Sequence, residues 1–403
     1  MNRRTVNLED ITIVIYIFSA VVFDAGSGLM RFARLFLFLS FALKQTKRKT
    51  VRFNLYVAWL LFFLLLSSLS VLWAYDRTVS FSMVETVAVN AVCMCSLMFI
   101  IDFREKQIHT ALKSIAIAPF FLEIRIIVLG GLLSGFKGVR AVGSISLNTL
   151  GLCAAFGGCC AIYLWYICSK EHCWLGLYIV NFIIVILSSS RKAILCILIP
   201  IIIVFLLNNK AAIGRIIVRT IIASVMIIIG YYAMMKVSFF YNSIGNRFES
   251  MIGIFLGHSG IVDSSTIDRL KLTSWGIAWF RKKPFLGYGI DNYRIVLHGF
   301  RPDYPLSYYA HNNYIELLVD VGIIGVIIYY WNYILVAIRA LKYRKELAKE
   351  EILIFGMIIS LAVIEFGLVS YYEKFIQIVF LVIWIIIENI KRKANKHSLE
   401  RCL

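Results

Sequence analysis

Apolar runs about as long as a bilayer is thick recur along this chain, and they leave it few folds to choose from. They lie near 11–23, 28–43, 53–74, 82–101, 108–133, 147–168, 174–188, 193–208, 216–235, 313–338, 352–370 and 375–390. A hydrocarbon core about 30 Å thick is crossed by a helix of about 20 apolar residues. Lipid offers backbone N–H and C=O groups no partner, so each run must satisfy its own as a helix. The chain is 60% apolar and only 16% charged, with mean hydropathy +0.81; soluble domains carry about 25% charged residues. These features predict an all-α polytopic membrane protein with about 12 transmembrane helices. The first two runs are short and weakly separated, so the alternative count is about 11.

One long polar stretch interrupts the pattern. The expected organisation is helices 1–9 over 1–235, an extracytoplasmic cap loop over 236–312, and helices 10–12 with a basic tail over 313–403. Within the loop, Arg269 to Phe280 carries apolar residues at helical spacing, with Asp268 as the start and Pro284 as the stop. Gly287-Tyr288-Gly289 then predicts a turn. No internal repeat is found.

The net charge of +19 raises nucleic-acid binding, but the basic residues fall between apolar runs rather than on one patch. Clusters lie at Lys44 to Arg52, Arg339 to Lys349 and Lys391 to Arg401. With both termini cytoplasmic, most lysine and arginine falls on the cytoplasmic side. The short external loops hold only Arg77, Lys137, Arg140, Arg191, Lys192 and Lys374. That is the positive-inside pattern, and it directs the 236–312 loop outward. Arg31, Arg34, Lys113 and Arg125 lie inside runs; Arg34 and Lys113 are near enough to cytoplasmic ends to snorkel, whereas Arg31 and Arg125 are expected to touch lipid phosphate. The N-terminus resembles a signal peptide, but Glu9 and Asp10 spoil its basic region, so an uncleaved first span is expected. The cysteines sit mostly within runs and read as small core residues.

Chemistry concentrates at the outer face. Arg140 follows Lys137-Gly138-Val139, Arg191 follows Ser188-Ser189-Ser190 between two apolar runs, and Arg269 opens the loop helix. An arginine at a membrane edge snorkels, pairs with an acid, or binds phosphate through its planar donor fork. Arg191 is held where the chain turns with almost no loop, and there it needs an anion or an acid. His311 begins His-Asn-Asn, which opens into the tenth apolar run. A histidine half in water and half against a low-dielectric wall exchanges a proton near neutral pH. Glu316 is expected to orient the ring or pair with an arginine, and Asn312 and Asn313 to cap the helix. His258 and His298 are lesser candidates, and Asp263, Asp268, Asp291 and Asp303 read as solvated loop acids. No Asp-x-Asp or other metal-ligand spacing is present.

His311-Asn312 through Tyr314-Ile315-Glu316, Asp320, Gly322 and Gly325 resembles the signature of the bacterial O-antigen polymerase and O-antigen ligase family. Ser189-Ser190-Arg191-Lys192-Ala193 is similar to its Ser-Arg-Gly-Ala turn, with Lys192 in place of glycine. Arg269 with Trp275 and Pro284 to Gly289 resembles its loop pattern, and Arg140 with Gly143 and Asn148 an earlier external element. The resemblance implies a membrane-embedded glycosyltransferase of the bacterial cytoplasmic membrane, using an undecaprenyl-diphosphate glycan and needing neither metal nor other cofactor. It implies a diphosphate clamp by Arg191 and Arg269, with Arg140 nearby, and His311 as general base. The partners would be lipid-linked oligosaccharide donor and acceptor, membrane lipid and other polysaccharide-assembly proteins. A polymerase that lengthens O-antigen or capsule repeats is preferred to a ligase that transfers glycan to lipid A-core. A transporter of lipid-linked glycan is the rival from another class; it predicts internal repeats and broken midplane helices.

Overall fold

The computed structural model describes residues 7–46, 54–131, 133–135, 137, 139–168, 171–207, 213–238, 241, 245, 249, 264–343 and 349–402. Residues 47–52 of the first basic cluster, 344–348 of the second, and His258 and Asp263 lie outside the described residues.

The fold is all-α, and every predicted apolar run contains a helix. Nine precede the loop: α1 (Leu8–Val22), α2 (Gly28–Thr46), α3 (Leu55–Ser70), α4 (Arg77–Ile101), α5 (Glu105–Val128), α6 (Leu147–Ile167), α7 (His172–Leu187), α8 (Arg191–Leu207) and α9 (Ile213–Lys236). A two-stranded hairpin, β1 (Ala141–Val142) with β2 (Ile145–Ser146), leads into α6. The cap contributes α10 (Ser264–Lys282), α11 (Tyr293–Phe300) and α12 (Asn313–Asp320); α13 (Gly322–Lys342), α14 (Lys349–Ile364) and α15 (Lys374–Cys402) complete the chain. Among the described residues, five helical stretches are long and apolar enough to cross a membrane unaided, including Arg77–Ile101, Leu147–Ile167 and Gly322–Lys342. The protein is a polytopic membrane protein.

α6 is the most enclosed of these and packs against α5, α7 and α8. A Cβ added at Gly157 would lie 3.0 Å from the Ile115 carbonyl of α5, so the glycine permits a close approach of the kind small residues allow between membrane helices. Polar side chains tie helices where lipid cannot satisfy them. Asn181 of α7 donates to the Ala116 carbonyl of α5 at 3.0 Å, and Trp59 of α3 to the Tyr329 carbonyl of α13 at 2.8 Å. Arg125 donates to the Val22 carbonyl at 2.6 Å and to Asp24 at 3.2 Å. It therefore fastens α5 to the end of α1, whereas the sequence led us to expect contact with lipid phosphate.

The tenth run is not one helix. Val321 interrupts it, and Gly322 takes φ +66, so α12 leaves the membrane span and joins the cap. There Leu272, Trp279, Tyr293, Leu297, Ile315 and Val319 form a separate small core. The loop helix begins at Ser264, earlier than Asp268, and ends before Pro284 as expected. The Gly287–Gly289 turn docks the cap on the α3–α4 connection: the Tyr288 carbonyl accepts from Tyr75 N at 2.8 Å, and Ser80 Oγ donates to the Ile290 carbonyl at 2.7 Å.

A methyl group at Gly322 would meet the Phe285 carbonyl, on a backbone conformation that side chains resist. Gly322→Ala is expected to cost about 1–3 kcal/mol, read as a lower melting temperature of the detergent-solubilised protein. Gly26→Ala, whose added carbon meets nothing within 4 Å, should leave that temperature unchanged.

Candidate active site

Two of the three predicted site arginines, Arg140 and Arg191, are placed by local turns. The β1–β2 hairpin turns at Gly143 (φ +59), and Leu147 N donates to the Arg140 carbonyl at 3.0 Å, folding Arg140 back towards Asn148 in the first turn of α6. The chain reverses between α7 and α8 through Ser189, which takes φ +50. Ser188 Oγ accepts from Ser190 N at 3.3 Å, and the Ser190 carbonyl receives Ile194 N at 3.2 Å, so the serines do satisfy the turn. Arg191 and Lys192 thus begin α8. Lys192 reaches the 365–373 connection and donates to the Gly367 carbonyl. Arg269 lies on α10.

His311 itself has φ +53, a left-handed conformation uncommon outside glycine and held only where its neighbours determine it. The neighbours on both sides are fixed. Glu316, 1% exposed, accepts the Ala310 N–H at 2.7 Å. Asn312 caps α12, its Oδ1 accepting from Tyr314 N at 3.0 Å and Ile315 N at 3.2 Å. Glu316 therefore supports the backbone before His311. Burial pushes the Glu316 carboxyl up, partly offset by the Ala310 N–H. Tyr309 lies against the imidazole, ring centroids 4.0 Å apart.

Asn313 does not cap. Its side chain donates to Glu365 Oε2 at 2.9 Å and its Oδ1 accepts from Ser370 N at 2.9 Å, while its own N–H meets the Glu365 carbonyl at 2.8 Å. The 365–373 connection thereby touches both Asn313 and, through Gly367, Lys192. Asp320 accepts from Asp291 N at 2.8 Å and Tyr293 N at 2.7 Å, tying α12 to the base of α11. Asp291, expected as a solvated acid, is 6% exposed and pairs with Arg294 at 2.6 Å. Burial raises its carboxyl and Arg294 opposes that.

These segments enclose a cavity of about 310 Å³. Arg140, Arg191, Arg269 and His311 all line it, as do Asn148, Ser190, Lys192 and Tyr308. Asn312 and Glu316 stand behind the wall. Lys192 was passed over because it occupies a glycine position of the resembled pattern. Asp268 was missed too; it lines the cavity and accepts from Tyr304 Oη at 3.3 Å. The Ser190 hydroxyl is buried with no hydrogen-bond partner among the described residues. His298 is directed elsewhere, its Nδ1 2.8 Å from the Tyr304 carbonyl.

The cavity wall is predominantly cationic, with Asp268 its one acid among the described residues. Burial first, then the charges of Arg269 and Lys192, hold His311 down to about 4, against an ordinary value of about 6.5. The imidazole is therefore neutral at pH 7, with a lone pair free to accept a proton, inside a cavity suited to an anion.

A polytopic helical membrane protein with such a cavity at one helix-loop boundary has a candidate active site there. A family model described as O-antigen ligase matches residues 176–330, from within α7 to within α13. Residues 176–330 are thus similar to the O-antigen ligase family, in keeping with the resemblance read from the sequence. Arg140 lies outside the matched segment. No curated protein matches the chain.

Glu316→Ala should leave the Ala310 N–H buried and unpaired, costing about 1–3 kcal/mol and releasing His311 from its left-handed conformation. Glu316→Gln keeps an acceptor of the same reach. Melting temperatures of the purified variants are expected to fall for alanine and to stay near wild type for glutamine.

Proposed function

We propose that the protein is a polysaccharide polymerase. It transfers glycan from an undecaprenyl-diphosphate donor to a lipid-linked repeat acceptor on the extracytoplasmic side of the inner membrane, without a metal. The observation that carries this reading is the convergence of Arg140, Arg191, Arg269 and His311, from four separate segments, on one cavity. On this reading both termini are cytoplasmic, and the 236–312 cap faces outward.

A lipid diphosphate is already a good leaving group. What the reaction needs is charge neutralisation as the glycosidic bond breaks. Arg191 and Arg269 meet the diphosphate oxygens through planar donor forks, Lys192 adds a compact charge, and Arg140 closes the side near Asn148. Neutral His311 takes the proton of the attacking sugar hydroxyl. The hydroxyl oxygen bonds to the anomeric carbon from the face opposite the diphosphate. The diphosphate departs with the bonding electron pair, and the anomeric centre inverts. Strong, preorganised positive charge at the departing group performs the stabilisation for which other glycosyltransferases use a metal.

A ligase performs the same chemistry and differs in its acceptor; the matching family model, described as O-antigen ligase, fits either. One assay separates the two. Purified protein is incubated with its lipid-diphosphate oligosaccharide repeat and a chelator, and products are resolved by size. A ladder spaced by one repeat is expected, falling at least about 100-fold in His311→Ala and in Arg191→Ala and Arg269→Ala. Transfer only after addition of lipid A-core or another terminal acceptor would identify a ligase. Normal polymer from all three variants, stably inserted, would refute the residue roles. No product from well-folded wild type with either acceptor would favour transport of the glycan.

A further inference from the structure

Asp268 is the anomaly in the cavity. The wall around it carries Arg140, Arg191, Lys192 and Arg269, and a carboxylate there weakens any phosphate bound beside it. Its position is fixed on the cap side, where Tyr304 Oη donates to it at 3.3 Å. From that point aromatic rings run outward in sequence. Tyr308, itself in the cavity wall, stands edge-on to the His311 ring at 6.5 Å and to Tyr304 at 5.3 Å. Tyr304 meets Trp275 at 5.7 Å, and Trp275 meets Phe300 at 5.9 Å. Phe300 is 56% exposed, so the row ends at the cap surface.

Carboxylates accept paired hydrogen bonds from vicinal hydroxyls, and aromatic faces pack against the C–H faces of pyranose rings. Both groups suit a neutral saccharide, and neither suits a phosphate. We infer that Asp268, Tyr304 and Tyr308, continued by Trp275 and Phe300, form the subsite for the acceptor oligosaccharide. The acceptor is assigned because the row starts beside His311, the group that meets the attacking hydroxyl. The sugar next to the reaction lies on Tyr308 with its hydroxyls on Asp268, and further sugars follow the row outward. This inference rests on the glycan-transfer reading above and divides the cavity into a cationic diphosphate half and a cap-side saccharide half.

The test uses the full-length protein in detergent and the free oligosaccharide repeat, released from the lipid-linked pool by mild acid and freed of phosphate. Saturation-transfer NMR, with irradiation of aromatic protons, reads binding without requiring turnover. Binding is expected for wild type and for Arg191→Ala, and at least fivefold weaker for Asp268→Asn. Phe300→Ala, a change at an exposed ring, should weaken binding of a repeat but not of its terminal monosaccharide. Tyr304→Phe, which keeps the ring and removes the hydroxyl that holds Asp268, should weaken binding less than Asp268→Asn. No transfer of saturation to the saccharide, or equal binding by wild type and all cap variants, would overturn the subsite. Saccharide binding by a wild-type protein that transfers no glycan from lipid diphosphate would support the subsite and overturn the catalytic assignment instead.

Discussion

Concentrated positive charge at the edge of an apolar helix bundle is the constraint on which this structure turns. Four cationic side chains and a neutral histidine line one cavity. Two like charges 4 Å apart repel by about 4 kcal/mol at the effective dielectric of a protein surface. Such groups stay together only if the scaffold fixes them. The hairpin holds Arg140, the serine turn holds the start of α8, the Gly367 carbonyl takes the Lys192 ammonium, and the cap core seats α10. On the proposed reading an incoming diphosphate would relieve the repulsion, and the site would gain most from a ligand whose charge grows as its bond breaks. That is the difference between binding a substrate and stabilising a transition state.

The stretch from His311 to Gly325 is a bracket that connects three parts of the molecule. Glu316 fixes the backbone before His311 and Asn312 the helix after it; Asn313 reaches the 365–373 connection and Asp320 the base of α11. Gly322 lets the chain pass against Phe285, and Gly325 leaves room for Val321. Each polar member is buried and hydrogen-bonded, as groups at this depth must be. The bracket lets a strained histidine keep one position, and it couples that position to Lys192 through a connection far away in the sequence.

Much of this was legible in the chain. The apolar runs located the membrane helices because lipid enforces helix formation segment by segment, and the external arginines stood out because charge at a membrane edge needs a reason. The rest depended on tertiary partners. The break at Val321 was hidden because both sides of it are apolar, and only the cap core makes α12 part of the cap. Glu316, about one helical turn on from His311, was expected to orient the ring or pair with an arginine; its role as acceptor for the Ala310 N–H depends on a chain reversal that spacing does not show. Arg125 was read against lipid because its partners, Val22 and Asp24, belong to a helix over 100 positions earlier. Asp268 looked like a solvated acid until α10 turned it towards the arginines. Short-range spacing cannot supply such pairings, since they arise only when distant helices pack.

The electrostatic account is tested most directly by titrating the His311 imidazole. NMR of the histidine-labelled protein, with the His311 resonance identified by its loss in His311→Ala, gives the midpoint with and without a short-chain polyprenyl diphosphate. The account predicts a midpoint near 4 in the free protein, because burial and the cations disfavour the imidazolium. The midpoint should rise when the diphosphate binds, because its charge compensates those cations. An ordinary midpoint of about 6.5 that diphosphate leaves unmoved would contradict it.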